Sequence, residues 1–142
     1  MNDDLPAQDC CNCLALRQAA RHVSQIYAGH LAAVGLRGTQ YSLLAKIKRH
    51  GPLTINALAG LMVMERTALG RGLRPLERDG LIAVVAGSDA RTRRLQLTAS
   101  GEARLAAAIP HWHQAQQAVE LALGADQAAE MRALMRRVVA SV

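Results

Sequence analysis

The chain has 142 residues, of which 51% are hydrophobic, and this is enough for one domain with its own core. Its net charge is +6, and it has two tyrosines, one tryptophan and no phenylalanine. So few aromatic residues argue against binding of RNA or single strands, which depends on stacking. The acidic start and the lack of an apolar run near ~18 residues predict a cytoplasmic protein without signal peptide or membrane span.

The first part of the chain is interpreted as a polar lead-in over residues 1–9, followed by a single domain over 10–142. Apolar residues recur at spacings of three and four from Leu16 to Val34. Because this period marks the buried face of a helix, the sequence predicts a long first helix over residues 10–34.

The middle of the chain, residues 39–97, is predicted to be a compact DNA reader. Thr39 is expected to cap a helix that stops at Gly51, since threonine is a good N-cap and glycine ends helices. A short helix over Ile55–Met62 follows, and a second reader helix opens on Glu65-Arg66-Thr67.

Gly70, Gly72 and Pro75 weaken this second reader helix. Each glycine costs roughly 1 kcal/mol relative to alanine inside a helix, and the proline lacks the N–H that would bond the carbonyl of Arg71. The helix is therefore expected to bend or to end near Arg74. Two interpretations stand for the glycines: an ordinary weak helix held by packing, or a close approach of the backbone to DNA or to a neighbouring helix.

Two strands are predicted next, over residues 81–85 and 91–97, with a turn at Gly87-Ser88-Asp89 between them. A helix-turn-helix followed by a basic two-stranded ribbon is the arrangement of a winged helix-turn-helix. In that arrangement the second helix enters the major groove, and the ribbon tip reaches the backbone or the minor groove. The predicted fold is therefore mainly α with a small β-wing.

Long helices are predicted to flank the reader, over residues 10–34 and 98–142. In the second segment Thr98 caps a helix that Gly124 breaks, and Asp126 is expected to cap the last helix. These outer helices carry more apolar surface than the reader can cover, so we predict that they pair with a second copy in a two-fold dimer. An intramolecular helical bundle is the alternative.

A cluster of positive charge coincides with the reader. Between Arg66 and Arg94 there are seven arginines and three acids. Clustered basic charge beside a helix-turn-helix favours double-stranded DNA as the partner over a merely solvated helix face. The side chains expected to contact DNA are Thr54, Asn56, Arg66, Thr67, Ala68, Arg71, Arg74, Arg91, Arg93 and Arg94.

Base reading is expected from the N-terminal end of the second reader helix, because that end points into the groove. There Arg66 and Arg71 suit the O6/N7 pair of guanine. The methyl groups of Thr67 and Ala68 suit the thymine methyl.

Phosphate contacts are expected around this centre. Thr54 and Asn56, at the start of the first reader helix, would hold phosphates. Arg91 would enter the minor groove or clasp a phosphate, with Asp89 bracing it. The other two wing arginines are expected to be phosphate clamps, or in one case the partner of an internal acid.

Three cysteines, Cys10, Cys11 and Cys13, crowd into the start of the first helix. An odd, clustered set in a cytosolic chain is not a disulfide framework, so they are free thiols or ligands. Three thiols also suit a soft metal, but His111 and His113, the candidates for a fourth ligand, are spaced by two and point to different helix faces. We therefore predict no metal and no cofactor.

Several stretches of the chain, in order, resemble the multiple-antibiotic-resistance regulator (MarR) family. They are residues 53–59, 65–69, 76–82, 89–91 and 95–98, followed by Gly101. The resemblance implies a homodimeric transcriptional regulator, usually a repressor, that binds a near-palindromic duplex and is released from DNA by an effector.

The first helix resembles that of the family's organic-hydroperoxide sensors. Cys13 matches their reactive cysteine, and Tyr27 falls where they place a tyrosine that bonds the thiolate. Arg17 stands where these sensors usually carry a second tyrosine. Tyr41 is the only other tyrosine of the chain, and it lies a few positions later than the sensors would place one. The resemblance implies that peroxide oxidises Cys13 to a sulfenic acid, which then forms a disulfide with a neighbouring cysteine or across the dimer.

Other interpretations remain open at this stage. The effector is alternatively a small organic ligand in a cleft between the dimer helices and the reader, lined by Arg17, Tyr41 and His22, and the cysteines are then small buried hydrophobes. Two rival function classes are a thiol-based redox enzyme that uses Cys13 and a non-specific DNA architectural protein. An enzyme is not predicted, because the chain has no phosphate loop and no Gly-x-Ser-x-Gly element.

Overall fold

The computed structural model describes Leu5, residues 7–87, Asp89 and residues 91–141. Part of the predicted lead-in, the last residue, and Ser88 and Ala90 of the predicted wing tip lie outside the described residues.

Within the described part of the chain, helices predominate and two strands form the wing. The helices are α1 (Asn12–Leu31), α2 (Gly38–His50), α3 (Ile55–Met62), α4 (Arg66–Arg78), α5 (Ala99–Leu123) and α6 (Ala125–Ser141), and the strands are β1 (Ile82–Ala86) and β2 (Arg93–Leu97). Single turns of 3-10 helix stand at Gln8–Cys10 and Ala32–Val34. The predicted fold class, mainly α with a small β-wing, is confirmed.

Two of the predicted helix caps are wrong. α2 begins at Gly38, so Thr39 lies inside its first turn, and the residue before the helix is Arg37, whose N–H donates to Oε1 of Gln40 at 2.9 Å. α6 begins at Ala125, which places Asp126 in the first turn, where its charge suits the helix dipole but does not cap. By contrast, Thr98 caps α5 as expected. Thr54, which was not predicted as a cap, caps α3.

Of the two outcomes expected near Arg74, a bend or an end of the helix, the end is wrong, because α4 continues through Pro75 to Arg78. Leu69, Leu73 and Leu76 are all buried, so packing of one face holds the helix past the proline. The carbonyl of Arg71 that loses its N–H partner belongs to an exposed residue, so water can satisfy it.

The wing is an antiparallel pair in which Ile82 lies opposite Leu97 and Ala86 lies opposite Arg93. β1 is shifted by one residue from the predicted range 81–85, and β2 begins two residues later than the predicted range 91–97. Arg91 therefore belongs to the turn and not to β2. Leu53 adds a single bridge to the wing: its N–H donates to the carbonyl of Leu95 at 3.1 Å, and its carbonyl accepts from the N–H of Leu95 at 2.7 Å. The wing is thereby fixed to the segment between α2 and α3.

The core lies at the centre of the reader and extends to the ends of the outer helices. Its largest fully buried side chains are Leu31, Leu43, Leu44, Ile47, Leu58, Leu69 and Leu76. Leu105 and Ala108 of α5 and Leu31 of α1 belong to the same cluster. The reader and the outer helices therefore share one core.

Apolar side chains of the outer helices are left exposed in the single chain. Leu121 is 85% exposed, and the exposed side chains also include Leu16, Leu134, Val138 and Val139. Among the described residues, no helix is both long and apolar enough to span a bilayer.

Candidate nucleic-acid interface and effector sites

The start of α3 brings two of the predicted DNA contacts close to the recognition helix α4. The hydroxyl oxygen of Thr54 accepts a hydrogen bond from the N–H of Ala57 at 3.1 Å, which caps α3 and leaves the O–H free to donate to a phosphate. Oδ1 of Asn56 accepts a bond from Nη1 of Arg66 at 3.4 Å. The first turns of α3 and α4 therefore face the same side.

One face of α4 is exposed and basic, and the opposite face is buried. Arg66, Thr67, Arg71 and Arg74 are exposed, while Ala68 is half-buried. The buried leucines of α4 recur at spacings of three and four, so Arg71 and Arg74 fall on the solvent side. Arg66 is exposed as the first residue of the helix. The structure thus exposes three of the four predicted base-reading residues, Arg66, Thr67 and Arg71.

The predicted brace between Asp89 and Arg91 acts through the backbone. Oδ1 of Asp89 accepts a hydrogen bond from the main-chain N–H of Arg91 at 3.1 Å, and the Asp89 carbonyl accepts one from the N–H of Thr92 at 2.9 Å. The guanidinium of Arg91 stays exposed. The carboxylate therefore shapes the turn that presents the arginine.

The two strand arginines differ from one another. Arg93 is exposed. Arg94 is half-buried, and within the described part of the chain its buried Nε has no hydrogen-bond partner. A Cβ on Gly87 would come within 3.1 Å of this Nε, so Arg94 lies folded over the base of the turn. The internal acid considered as its partner is not found among the described residues.

The thiols lie at the N-terminal end of α1. Cys11 is the N-cap residue, and its Sγ accepts a hydrogen bond from the N–H of Leu14 at 3.4 Å. Cys10 and Cys13 are exposed, and Arg17 one turn further on is exposed as well. The thiols are thus accessible, and the interpretation of buried hydrophobic cysteines does not fit.

Tyr27 does not meet Cys13 within one chain. The two residues are fourteen positions apart on the same helix, a separation of about 21 Å along the axis at 1.5 Å per residue. The Tyr27 hydroxyl instead donates to Oε1 of Gln116 on α5. Burial raises the pKa of Tyr27, and the nearby carboxylate of Glu120 raises it further.

A cleft of about 570 Å³ opens between α1, α2 and α5. Its lining residues are Val23, Ser24, Gln25, Tyr27, Ala28, Arg37, Gly38, Thr39, Tyr41, Ser42, Met62 and Trp112. Tyr41 lines it as predicted, but Arg17 and His22 do not. Arg17 lies six residues before the first lining position of α1, about 9 Å along the helix, and His22 is on the exposed face.

Sequence reasoning missed the aromatic wall of this cleft. The rings of Tyr41 and Trp112 are stacked, with centroids 5.9 Å apart and planes 15° apart. Burial raises the pKa of Tyr41, and the positive charge of Arg49 partly opposes this. The feature of the sequence that could have indicated this wall is the rarity of aromatic residues. The chain has three, and all of them line the cleft.

Within the described range, no group of three or more histidine, cysteine, aspartate or glutamate side chains is placed to hold a metal ion.

The chain is similar to known proteins in sequence and in structure. A MarR family model matches residues 36–92, which span α2, α3, α4, β1 and the turn of the wing. The transcriptional regulator MosR of M. tuberculosis, solved in complex with DNA, is 39% identical with a TM-score of 0.78. The match covers 92% of this chain and 97% of MosR.

Two further relatives agree. A helix-turn-helix-type transcriptional regulator of Bacillus cereus is 31% identical over 97 residues, which are 68% of this chain but only 65% of that relative. BpsR of Bordetella bronchiseptica has the same fold, with a TM-score of 0.86 at 17% identity over 97% of this chain and 99% of BpsR. The chain therefore belongs to the MarR family of winged helix-turn-helix transcriptional regulators.

Proposed function

We propose that this protein is a homodimeric transcriptional regulator, in the usual case a repressor, that binds a near-palindromic site in double-stranded DNA. The observation that carries the proposal is the exposed basic face of α4 beside the exposed wing arginines. In such a complex Arg66 and Arg71 read bases in the major groove and Arg91 reaches the adjacent minor groove or phosphate. The DNA complex of MosR supports this reading.

A second copy of the chain supplies the second reader. The exposed leucines and valines of α5 and α6 form apolar surface that pairing of the outer helices would bury. Two recognition helices related by a two-fold axis would read half-sites one helical turn, about 34 Å, apart. We infer that the protein acts in the cytoplasm.

Selection from a random duplex library tests the DNA proposal without knowledge of the operator. The expected result is an enriched near-palindromic sequence, bound over excess unrelated DNA, with an affinity that falls as salt rises. Binding without any enriched sequence would instead indicate the architectural class. Arg71→Ala is the loss variant, and Arg78→Ala is its matched control, because Arg78 contacts Asp79 at the other end of the same helix.

Two effector mechanisms follow from two separate sites. The first uses the thiols: a hydroperoxide transfers one oxygen to Cys13, leaving an alcohol and a sulfenic acid. Attack by the thiol of Cys10 or Cys11, or of a cysteine of a second copy, then forms a disulfide and releases water. If Cys11 is consumed, its Sγ no longer serves as a thiol cap of α1, so oxidation would disturb the start of that helix.

The second mechanism uses the cleft between α1, α2 and α5. Its stacked Tyr41 and Trp112 offer an aromatic wall, while Ser24, Thr39 and Ser42 add hydroxyls. A small organic molecule with a flat apolar body and a polar edge fits these groups. Trp112 is the single tryptophan of the chain, so its fluorescence reports binding directly.

One titration separates the mechanisms. The fluorescence anisotropy of the selected duplex is followed with reduced protein, with peroxide-treated protein, and with reduced protein plus small aromatic compounds that quench Trp112. The thiol mechanism is supported if peroxide releases the duplex, if a thiol reductant restores binding, and if the Cys13→Ser variant is not released by peroxide. Equal affinity for the duplex before and after oxidation excludes the thiol mechanism and leaves the mechanism in which a ligand binds the cleft. Repeated turnover of peroxide with a reductant would indicate the enzyme class instead.

A further inference from the structure

A chain of polar side chains joins the helices α1, α5 and α6. The Tyr27 hydroxyl of α1 donates to Oε1 of Gln116 on α5. The amide nitrogen of Gln116 donates to Oε1 of Glu120, one turn along, at 3.2 Å. That same oxygen lies 3.5 Å from Nη1 of Arg132 on α6.

One end of this chain opens to the cleft. Tyr27 lines the cavity and is half-buried. The hydroxyl is a neutral phenol at neutral pH and donates its proton to Gln116. A molecule in the cleft that offers a stronger acceptor therefore competes with Gln116 for this proton.

The other end holds a helix that has little other anchorage in the single chain. Among the residues described for α6, Ala128 is buried, whereas Leu134, Val138 and Val139 are exposed. The bond from Arg132 to Glu120 is thus a main polar attachment of α6 to α5. Glu120 and Arg132 are both partly exposed, so the pair is weak unless its members are held in place by their neighbours.

We propose that the side chains of Tyr27, Gln116, Glu120 and Arg132 form a relay through which the cleft controls the position of α6. A ligand that draws the Tyr27 hydroxyl away from Gln116 frees the Gln116 amide. Glu120 then loses the donor that orients it toward Arg132, and α6 loosens. This inference rests on the proposed function, since α6 is part of the pairing surface that sets the separation of the two recognition helices.

Tyr27→Phe tests the relay, because it removes the hydroxyl and keeps the ring. Amide hydrogen exchange of the full-length protein is measured without ligand or DNA. Loss of one linking hydrogen bond is expected to speed exchange in α6 and the C-terminal half of α5 by roughly 2- to 10-fold. Exchange in α3 and α4 is expected to stay unchanged.

Tyr41→Phe is the matched control, since it removes a phenolic hydroxyl from the same cleft, and the relay does not run through Tyr41. Its α6 exchange is expected to equal that of the unmodified protein. Faster exchange confined to α1 in Tyr27→Phe, or the same change in both variants, would overturn the relay.

A double substitution tests whether the contacts act as one unit. Glu120→Gln is expected to speed exchange in α6 as Tyr27→Phe does, and the combined variant should add little further. Fully additive effects would show independent contacts and overturn the relay. Because no DNA is present, these outcomes are separate from success or failure of the regulator proposal.

Discussion

Oδ1 of Asn56 accepts a hydrogen bond from Nη1 of Arg66, so the first turn of α3 is linked to the first residue of the recognition helix. Both side chains are exposed, and the bond is long at 3.4 Å. The bond therefore adds little stability, but it restricts the orientation of the Arg66 guanidinium, whose side chain has several rotatable bonds. Asn56, which the sequence suggested as a phosphate contact, is placed to position Arg66 as well.

Arg66→Ala is expected to weaken binding to the selected duplex by about 1–3 kcal/mol and to relax the preference at one base pair of each half-site. Affinity for unrelated DNA should fall much less, because non-specific binding depends on total charge. The ratio of the two dissociation constants measures this. An equal loss on both duplexes would assign Arg66 to phosphate rather than to a base.

Gly70→Ala is expected to stabilise the protein by about 0.4–1 kcal/mol. Gly70 lies inside α4, and a Cβ there would meet nothing within 4 Å, so alanine gains helix propensity without a clash. Urea unfolding measures the gain. DNA affinity should not change if Gly70 is an ordinary weak point of the helix; a clear loss would support the alternative that the DNA backbone approaches this position closely.

Gly101→Ala is expected to have the opposite effect. Gly101 is buried in the first turn of α5, and a Cβ there would collide with the carbonyl oxygen of Leu81 just before β1. The helix and the wing would have to separate, at a cost of roughly 1–3 kcal/mol or more. Urea unfolding of the two variants measures this, and the midpoint is expected to be lower for Gly101→Ala than for Gly70→Ala. Equal midpoints would mean that the wing shifts at little cost.

Val63→Gly is expected to stabilise the turn between α3 and α4. Val63 has φ of 53° and ψ of 47°, a left-handed conformation that is unfavourable for a β-branched residue. Its side chain is 66% exposed, so little burial is lost. The relief of strain, less the chain entropy of glycine, leaves a gain of about 0.5–1 kcal/mol. Val63→Ala keeps the Cβ and should gain less; destabilisation by Val63→Gly would contradict this account.

The two tyrosines of the cleft predict a loss of stability at alkaline pH. Both pKa values are raised above the ordinary value of 10.0. Above pH 10 the unfolded chain loses these protons while the folded chain keeps them, so the folded state binds more protons and stability falls as pH rises. Replacing both tyrosines by phenylalanine should flatten the fall in melting temperature above pH 10. An identical pH profile would show that other groups dominate.

Local features of the sequence determined the elements and their order. Threonines at positions 54 and 98 each accept a hydrogen bond from the main-chain N–H three residues on, and this depends only on neighbouring residues. The fold class therefore followed from the sequence.

Only the tertiary structure decided the features that depend on distant residues. Pro75 stays inside α4 because buried leucines outweigh the single lost hydrogen bond. The Tyr27 hydroxyl bonds Gln116, which is 89 positions away in the chain. No local pattern marks such a pair, because a glutamine on a helix surface looks the same whether it faces water or another helix. The side chains that line the cleft and join it to α6 were set by how α1, α2, α5 and α6 pack, and this packing is the sum of many contacts between segments far apart in sequence.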